Sequence, residues 1–462
     1  MKLLIGLSIL AVLTMMMGLF KSRKFVLPVV VLGLIGLLYV VAGYGCYCED
    51  KMFGMFINEH QYLKMFDINK NSGFAGLIIG AGLLITILAY KGFNYSENHR
   101  ADLHALMLFS MCGAIIAVSY TNLLMLFLGI EIMSIPLYVL AGSNKTDERS
   151  NESGLKYFLL GAFATGFLLF GMALIYGATG SFNINQIYNY AHNQLNESGG
   201  IFKIGVVFTM VGLVFKVGAA PFHFWTPDVY NGAPTIITSF MSTVVKTAGF
   251  GALIFFFNGV LHPMGAEWGK TFAIISAATM ILGNVTAIYQ ISLKRMLAWS
   301  SVAHAGYLLM TVAANGNNVP KAVLLYLAAY SLASIATFAV LITTGKENFE
   351  DYNGLGKRNK WLAIGLTISL LSLAGVPPLA GFMGKYYLFT TVYEQYPWLV
   401  IIAIITSAIS VFYYLKAIIA MWFKKGDGET IQVPLTTVFV ILVCILGLIA
   451  LGLMPGVVLD LA

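Results

Sequence analysis

The sequence runs to 462 residues, of which 59% are hydrophobic and 10% charged, with a formal net charge of +7. Soluble domains carry about 25% charged residues, so this balance excludes an ordinary soluble fold and marks a polytopic membrane protein. The surplus positive charge sits mostly on loop lysines, with no basic stripe interleaved with aromatics. That excludes a nucleic-acid partner and leaves membrane lipids as the surroundings.

The first segment, MKLLIGLSILAVLTMMMGLF, imitates a secretory signal. It has no A-x-A cleavage site before the Lys21–Arg23–Lys24 cluster, and a retained first span is expected. Runs of about 20 apolar residues are long enough to cross a bilayer. About fourteen follow one another, beginning near Leu3, Phe25, Ser72, Leu103, Thr121, Ser153, Ile201, Pro234, Thr271, Arg295, Ala322, Trp361, Pro397 and Val433. The predicted fold is therefore all-α. Spans 1–3 occupy residues 1–102, spans 4–8 residues 103–258, spans 9–13 residues 259–424, and the last span lies in 425–462. The longest polar connections, 49–71, 183–200 and 344–360, are too short to hold a core of their own.

Loop charge sets the expected orientation. With the N-terminus outside, fifteen lysines and arginines fall in inner loops, among them Lys145, Arg149, Lys294, Arg295 and Lys346, against seven on the outer side. Both termini are then expected outside. The four cysteines add little. Cys46 and Cys48 flank Tyr47, while Cys112 and Cys444 lie in apolar runs, a pattern of packed thiols rather than metal ligands. There is no paired-histidine pattern for haem, no cysteine spacing for iron–sulfur ligation and no G-x-G-x-x-G unit.

Two spans carry helix breakers. Span seven contains Pro221 and ends through Pro227 and Pro234, and span twelve has Pro377 and Pro378 in its middle. A proline removes a backbone donor and clashes with an earlier carbonyl, and irregular backbone at membrane depth survives only against protein or a wet cavity. Gly218-Ala-Ala-Pro221 and Gly375-Val-Pro-Pro378 share the pattern G-x-x-P and stand five spans apart. An odd separation points the two broken helices in opposite directions, which suggests two inverted five-span repeats, spans 4–8 and spans 9–13.

Charged residues inside apolar runs are costly and usually mark ion or proton paths. Glu131 lies in the middle of LLMLFLGIEIMSIPLYVLAG, and Lys246 in the middle of ITSFMSTVVKTAGFGALIFFF. Lys216 and Lys385 flank the two breaks. A lysine in water titrates near pH 10.4, too high for exchange at neutrality, but desolvation penalises the ammonium and a nearby carboxylate offsets that penalty. A lysine in a dry bundle beside a movable carboxylate such as Glu131 is a switchable proton carrier. The bland alternative for these four is a static ion pair, a weak source of stability. Lys156, close to Glu152, and Lys416, near the Lys424–Lys425 boundary, have snorkelling as their alternative. His304 suits either a relay or a helix–helix hydrogen bond, and His223, inside the first break, suits a structural role.

The segment FKVGAAPFHFWTPDVYNGAPT (215–235) resembles a signature of the antiporter-like membrane subunits of respiratory complex I. The stretches LFLGIEIMSIPLYVL, LKRMLAWSSVAHAGY and LAGVPPLAGFMGKYYLF are similar to the same family, and the PDVY-x-GAPT ending resembles its subunit N branch. The likeness covers nearly the whole chain. It implies a hydrated midplane axis through Glu131, Lys156, Lys216, Lys246 and Lys385, and proton pumping driven by NADH oxidation and quinone reduction in other subunits. It implies no cofactor in this chain, with NADH, FMN, iron–sulfur clusters and quinone held by partners. It also implies neighbours such as the antiporter-like subunit M and the small subunits J and K, in a bacterial inner membrane. Two rivals remain: a subunit of a multi-component sodium/proton antiporter, and a non-conducting scaffold of the membrane arm.

Overall fold

The computed structural model describes residues 2–19, 25–45, 65–68, 71–93, 100–193, 195–314, 316, 318–426 and 430–460. The Cys46–Cys48 pair and the Lys21–Arg23–Lys24 cluster lie outside the described residues. The structure is all-α. Its first half holds α1 (Lys2–Leu19), α2 (Val26–Gly45), α3 (Ser72–Gly92), α4 (Arg100–Ser119), α5 (Leu123–Ala141), α6 (Glu148–Thr179), α7 (Ile184–Asn193), α8 (Leu195–Val217), α9 (Trp225–Gly232), α10 (Thr235–Phe240) and α11 (Lys246–Ile254). Its second half holds α12 (Gly265–Ile288), α13 (Leu293–Ala314), α14 (Val319–Thr344), α15 (Leu355–Arg358), α16 (Lys360–Ala374), α17 (Ala380–Tyr393), α18 (Pro397–Phe423), α19 (Leu435–Leu453) and α20 (Gly456–Leu459).

Among the described residues, 13 stretches are long and apolar enough to cross a membrane. One of them, Thr235–Val260, runs through α10, a π-helical turn at Met241–Val245, α11 and a second π-helical turn at Phe255–Val260. The run expected as span twelve is divided. Its first part, α16, has 15 residues and rises about 22 Å, short of a hydrocarbon core of about 30 Å. Its second part, α17, is similar, and the turn at Gly375–Leu379 separates them. The polar connection expected over 183–200 holds α7, whose Ile187, Tyr190 and Ala191 are buried.

Burial grades from rim to centre. The span Thr235–Val260 and α13 are each 94% buried over their most apolar stretch, whereas α1 and α19 are 33% buried. The rim helices turn residues such as Ile135, Val139, Phe158 and Phe163 outward, as a lipid-facing surface requires. At the centre α14 touches α10, α13, α16, α17 and α19. Small residues set the closest helix pairs. A Cβ on Gly113 of α4 would lie 2.2 Å from the Met133 nitrogen of α5, and one on Gly283 of α12 would lie 2.5 Å from the Ala303 nitrogen of α13. Lipid tails give helices no hydrophobic push toward one another, so this backbone approach supplies the packing.

Candidate functional site

Two helices stop inside the bundle in the same way. In α8 the chain turns at Gly218 (φ 71°), where the Gly218 N–H donates to Phe215 O at 3.0 Å and the Ala219 N–H to Val214 O at 3.2 Å. In α16 it turns at Gly375 (φ 89°), where the Gly375 N–H donates to Ser372 O at 3.0 Å and the Val376 N–H to Leu371 O at 3.0 Å. This pairing is a Schellman cap, and the left-handed position favours glycine. The next residues carry the cis peptides Ala220–Pro221 and Pro377–Pro378. Pro227 plays a different part from the expected breaker. It lies in the first turn of α9, where a missing N–H leaves no helical bond unmade.

Each break presents a lysine. Lys216, in the last turn of α8, donates to Ser134 Oγ at 2.6 Å and to the Tyr157 hydroxyl at 3.4 Å, with its ammonium 5.5 Å from the Tyr157 ring centre. Lys385, on α17, reaches back to the end of α16. Its ammonium donates to Ala374 O at 2.8 Å and Ser407 Oγ at 2.7 Å, and lies 5.2 Å from the Tyr307 ring centre. The Ala374 carbonyl belongs to the negative end of a helix, a natural seat for a cation. A Cβ on Gly375 would stand 3.0 Å from Lys385 Cδ, so the glycine also makes room for the lysine.

Lys246 follows the π-helical turn Met241–Val245, a feature frequent at functional sites. Its ammonium donates to the carbonyl and the hydroxyl of Ser301 and lies 5.3 Å from the Tyr330 ring centre. Three residues along α13, His304 is buried with its ring centre 4.9 Å from that of Tyr330. Its Nδ1 meets the Tyr326 hydroxyl at 2.5 Å and its Nε2 the Tyr414 hydroxyl at 3.1 Å. A small cavity lined by His304, Tyr326, Tyr330, Ser372 and Lys385 joins this group to the second break. His304 and Lys385 thus line one cavity with Tyr330, the residue whose ring lies 5.3 Å from the Lys246 ammonium.

Glu131 stands beside the first lysine without an ion pair to it. It lies three residues before Ser134 on α5, and its Oε1 is buried with no hydrogen-bond partner. Lys156 is not in the buried row. Its side chain is 41% exposed and pairs with Glu152 at 2.7 Å and Asp228 at 3.1 Å. His223 is buried in the first break, against the rings of Phe224 and Trp299. Lys416 is exposed and donates to Gln290 O at 3.2 Å.

Several residues were not singled out by sequence. Asp228, inside the PDVY motif, also accepts from Arg295 at 3.3 Å. Lys294, expected in an inner loop, is buried instead, donating to Ala233 O at 2.8 Å and Glu347 Oε1 at 3.1 Å. It borders a polar recess shared with Asp147, Arg149, Pro234, Lys346 and Glu347. The serines and tyrosines around the buried lysines have no signal of their own, because hydroxyls and aromatics recur throughout the spans. Among the described residues no group of three or more His, Cys, Asp or Glu could hold a metal ion.

Broken helices that offer buried lysines to a polar interior define an antiporter-like membrane protein, and comparison with known proteins agrees. The profile of the NADH:quinone oxidoreductase/Mrp antiporter transmembrane family matches residues 120–410, and the chain belongs to that family. Within it, the chain is a homologue of NADH-quinone oxidoreductase subunit N, an antiporter-like complex I membrane subunit. The subunit N of Cytophaga hutchinsonii is 42% identical over 470 residues, spanning 100% of this chain and 99% of the relative. A chain in the structure of respiratory complex I from Thermus thermophilus superposes with a TM-score of 0.82 at 32% identity, over 99% of this chain and 98% of the other. A chain of the Mrp complex from Dietzia shares the fold, with a TM-score of 0.83 at 19% identity over 100% of this chain and 95% of the other.

Proposed function

We propose that this chain translocates protons through a midplane row running from Glu131 and Lys216, by Lys246 and His304, to Lys385, as a membrane subunit of a proton-translocating NADH:quinone oxidoreductase. The observation that carries the proposal is the set of three buried lysines, each held by neutral groups and none by a carboxylate ion pair among the described residues. A structural lysine is built otherwise, as Lys294 with Glu347 shows. Lys156 joins the row as a peripheral member, its ammonium tied to Asp228 at the polar edge.

The architecture in this proposal is a fourteen-span bundle in which α16 and α17 cross as one broken helix, with inverted repeats over spans 4–8 and 9–13. The matched Schellman caps at Gly218 and Gly375, and the matched glycine contacts of α4 with α5 and of α12 with α13, support it. The NADH, FMN, iron–sulfur and quinone chemistry belongs to partner subunits, and neighbours of the M, J and K types flank the chain in a bacterial inner membrane. Lys246 tests the proposal. In the assembled complex, Lys246→Ala is expected to stop most proton pumping while NADH oxidation by a soluble acceptor continues at the wild-type rate. Normal pumping by an assembled Lys246→Ala complex removes Lys246 from the path and leaves the scaffold reading standing.

A further inference from the structure

The buried lysines among the described residues come in two kinds. Lys294 is bound by the Glu347 carboxylate and a carbonyl. Lys216, Lys246 and Lys385 share a different surrounding: in each, one serine hydroxyl and one tyrosine converge on the ammonium from neighbouring helices, the tyrosine through its hydroxyl edge at Lys216 and through its ring at Lys246 and Lys385. Ser134 of α5 and Tyr157 of α6 hold Lys216. Ser301 of α13 and Tyr330 of α14 hold Lys246. Ser407 of α18 and Tyr307 of α13 hold Lys385. The ring distances, 5.5, 5.3 and 5.2 Å, agree within 0.3 Å although the helices differ. The pairing is selective. The exposed Lys416 also lies over a ring, that of Phe349 at 4.6 Å, but takes a backbone carbonyl and no hydroxyl.

We infer that these three serine–tyrosine pairs are positioning cradles that keep each lysine in place both with and without its transferable proton. This rests on the proton-path proposal above and names residues it does not require. The chemistry is specific. A hydroxyl accepts from an ammonium and, by turning its hydrogen, donates to the lone pair of a neutral amine. A ring face attracts the cation electrostatically and carries no net charge to strand once the proton leaves. A carboxylate partner lacks that property, since deprotonating its lysine leaves a buried anion without its counter-ion. Lys294 keeps a counter-ion in Glu347, whereas the three cradled lysines have neutral groups that serve either charge state.

Ring and hydroxyl are separable by substitution in the assembled complex. The measurement is proton pumping in sealed vesicles, with NADH oxidation by a soluble acceptor counting assembled complex. Tyr330→Leu and Ser301→Ala should each slow pumping by roughly threefold or more, threefold being the lower end of what a cation–π contact or a hydrogen bond is worth as a rate. Tyr330→Phe, which keeps the face, and Ser301→Thr, which keeps the hydroxyl, should restore it. The parallel series at Lys385, Tyr307→Leu against Tyr307→Phe and Ser407→Ala against Ser407→Thr, should follow the same order and replaces any variant that fails to assemble. Equal pumping by the Leu and Phe variants, or by the Ala and Thr variants, overturns the cradle. If that happens while Lys246→Ala still abolishes pumping, only the cradle falls. If Lys246→Ala itself pumps normally, the proton path falls first and takes the cradle with it.

Discussion

An isolated ammonium inside a bilayer protein is a liability of at least a few kcal/mol, and its retention points to function. Among the described residues, Lys216, Lys246 and Lys385 carry that liability with neutral partners only. Glu131 lies on α5 one turn before Ser134, the serine that holds Lys216, and its buried Oε1 has no hydrogen-bond partner. Glu131→Gln and Lys216→Ala should therefore lose pumping non-additively. A double-mutant cycle on pumping rate is expected to give a coupling of roughly 0.5–3 kcal/mol, and additive losses would separate the two residues. The lysines were legible in sequence because charge inside a twenty-residue apolar run is conspicuous. Their burial was not, since Lys156 stands in an equally apolar run yet lies at an exposed edge, while Lys294 reads as a loop lysine and is enclosed. Neither outcome depends on local sequence. Each depends on which helix covers the position.

At the scale of the element, the two breaks were visible as prolines, yet the structure gives the first part of the work to glycine. In α16 the Schellman hydrogen bonds at Gly375 end the helix before Pro377 is reached. The same glycine, at φ 89°, lies against the Lys385 side chain. Gly375→Ala should then do two things: strain a left-handed residue by about 1–2 kcal/mol and press a methyl into the lysine stem. The expected result is a less heat-stable complex with impaired pumping, while Gly36→Ala, with open space around its Cβ, should change neither. A Gly375→Ala complex as stable and active as wild type would show that the turn tolerates a side chain. The π-helical turn before Lys246 had no comparable signal, because MSTVV reads as ordinary apolar helix. The short helix α7 was hidden for the opposite reason, its polar composition reading as a connection.

Over the whole molecule, charge sorts to two ends. At one end Glu347 accepts from Lys294 and Arg149, Asp228 accepts from Lys156 and Arg295, and Lys346 borders the same recess. At the other, Lys203 pairs with Glu267 at 2.8 Å. Helix α12, with 24 residues, rises about 36 Å from the Glu267 end toward Gln290, which accepts from Lys416, so the two groups stand a bilayer apart. The richer group is the one whose loops hold the excess of lysine and arginine, and that excess sets orientation during insertion. The recess should open to the cytoplasm. A cysteine placed at the exposed Lys346, in a background with the native cysteines replaced, should react with a membrane-impermeant maleimide in inside-out vesicles and stay unlabelled in right-side-out ones. A cysteine at Lys270, three residues beyond Glu267, should show the converse. Labelling of the Lys346 position from the outside would invert the molecule, place both termini in the cytoplasm, and turn the direction of any proton path through Lys385 around with it.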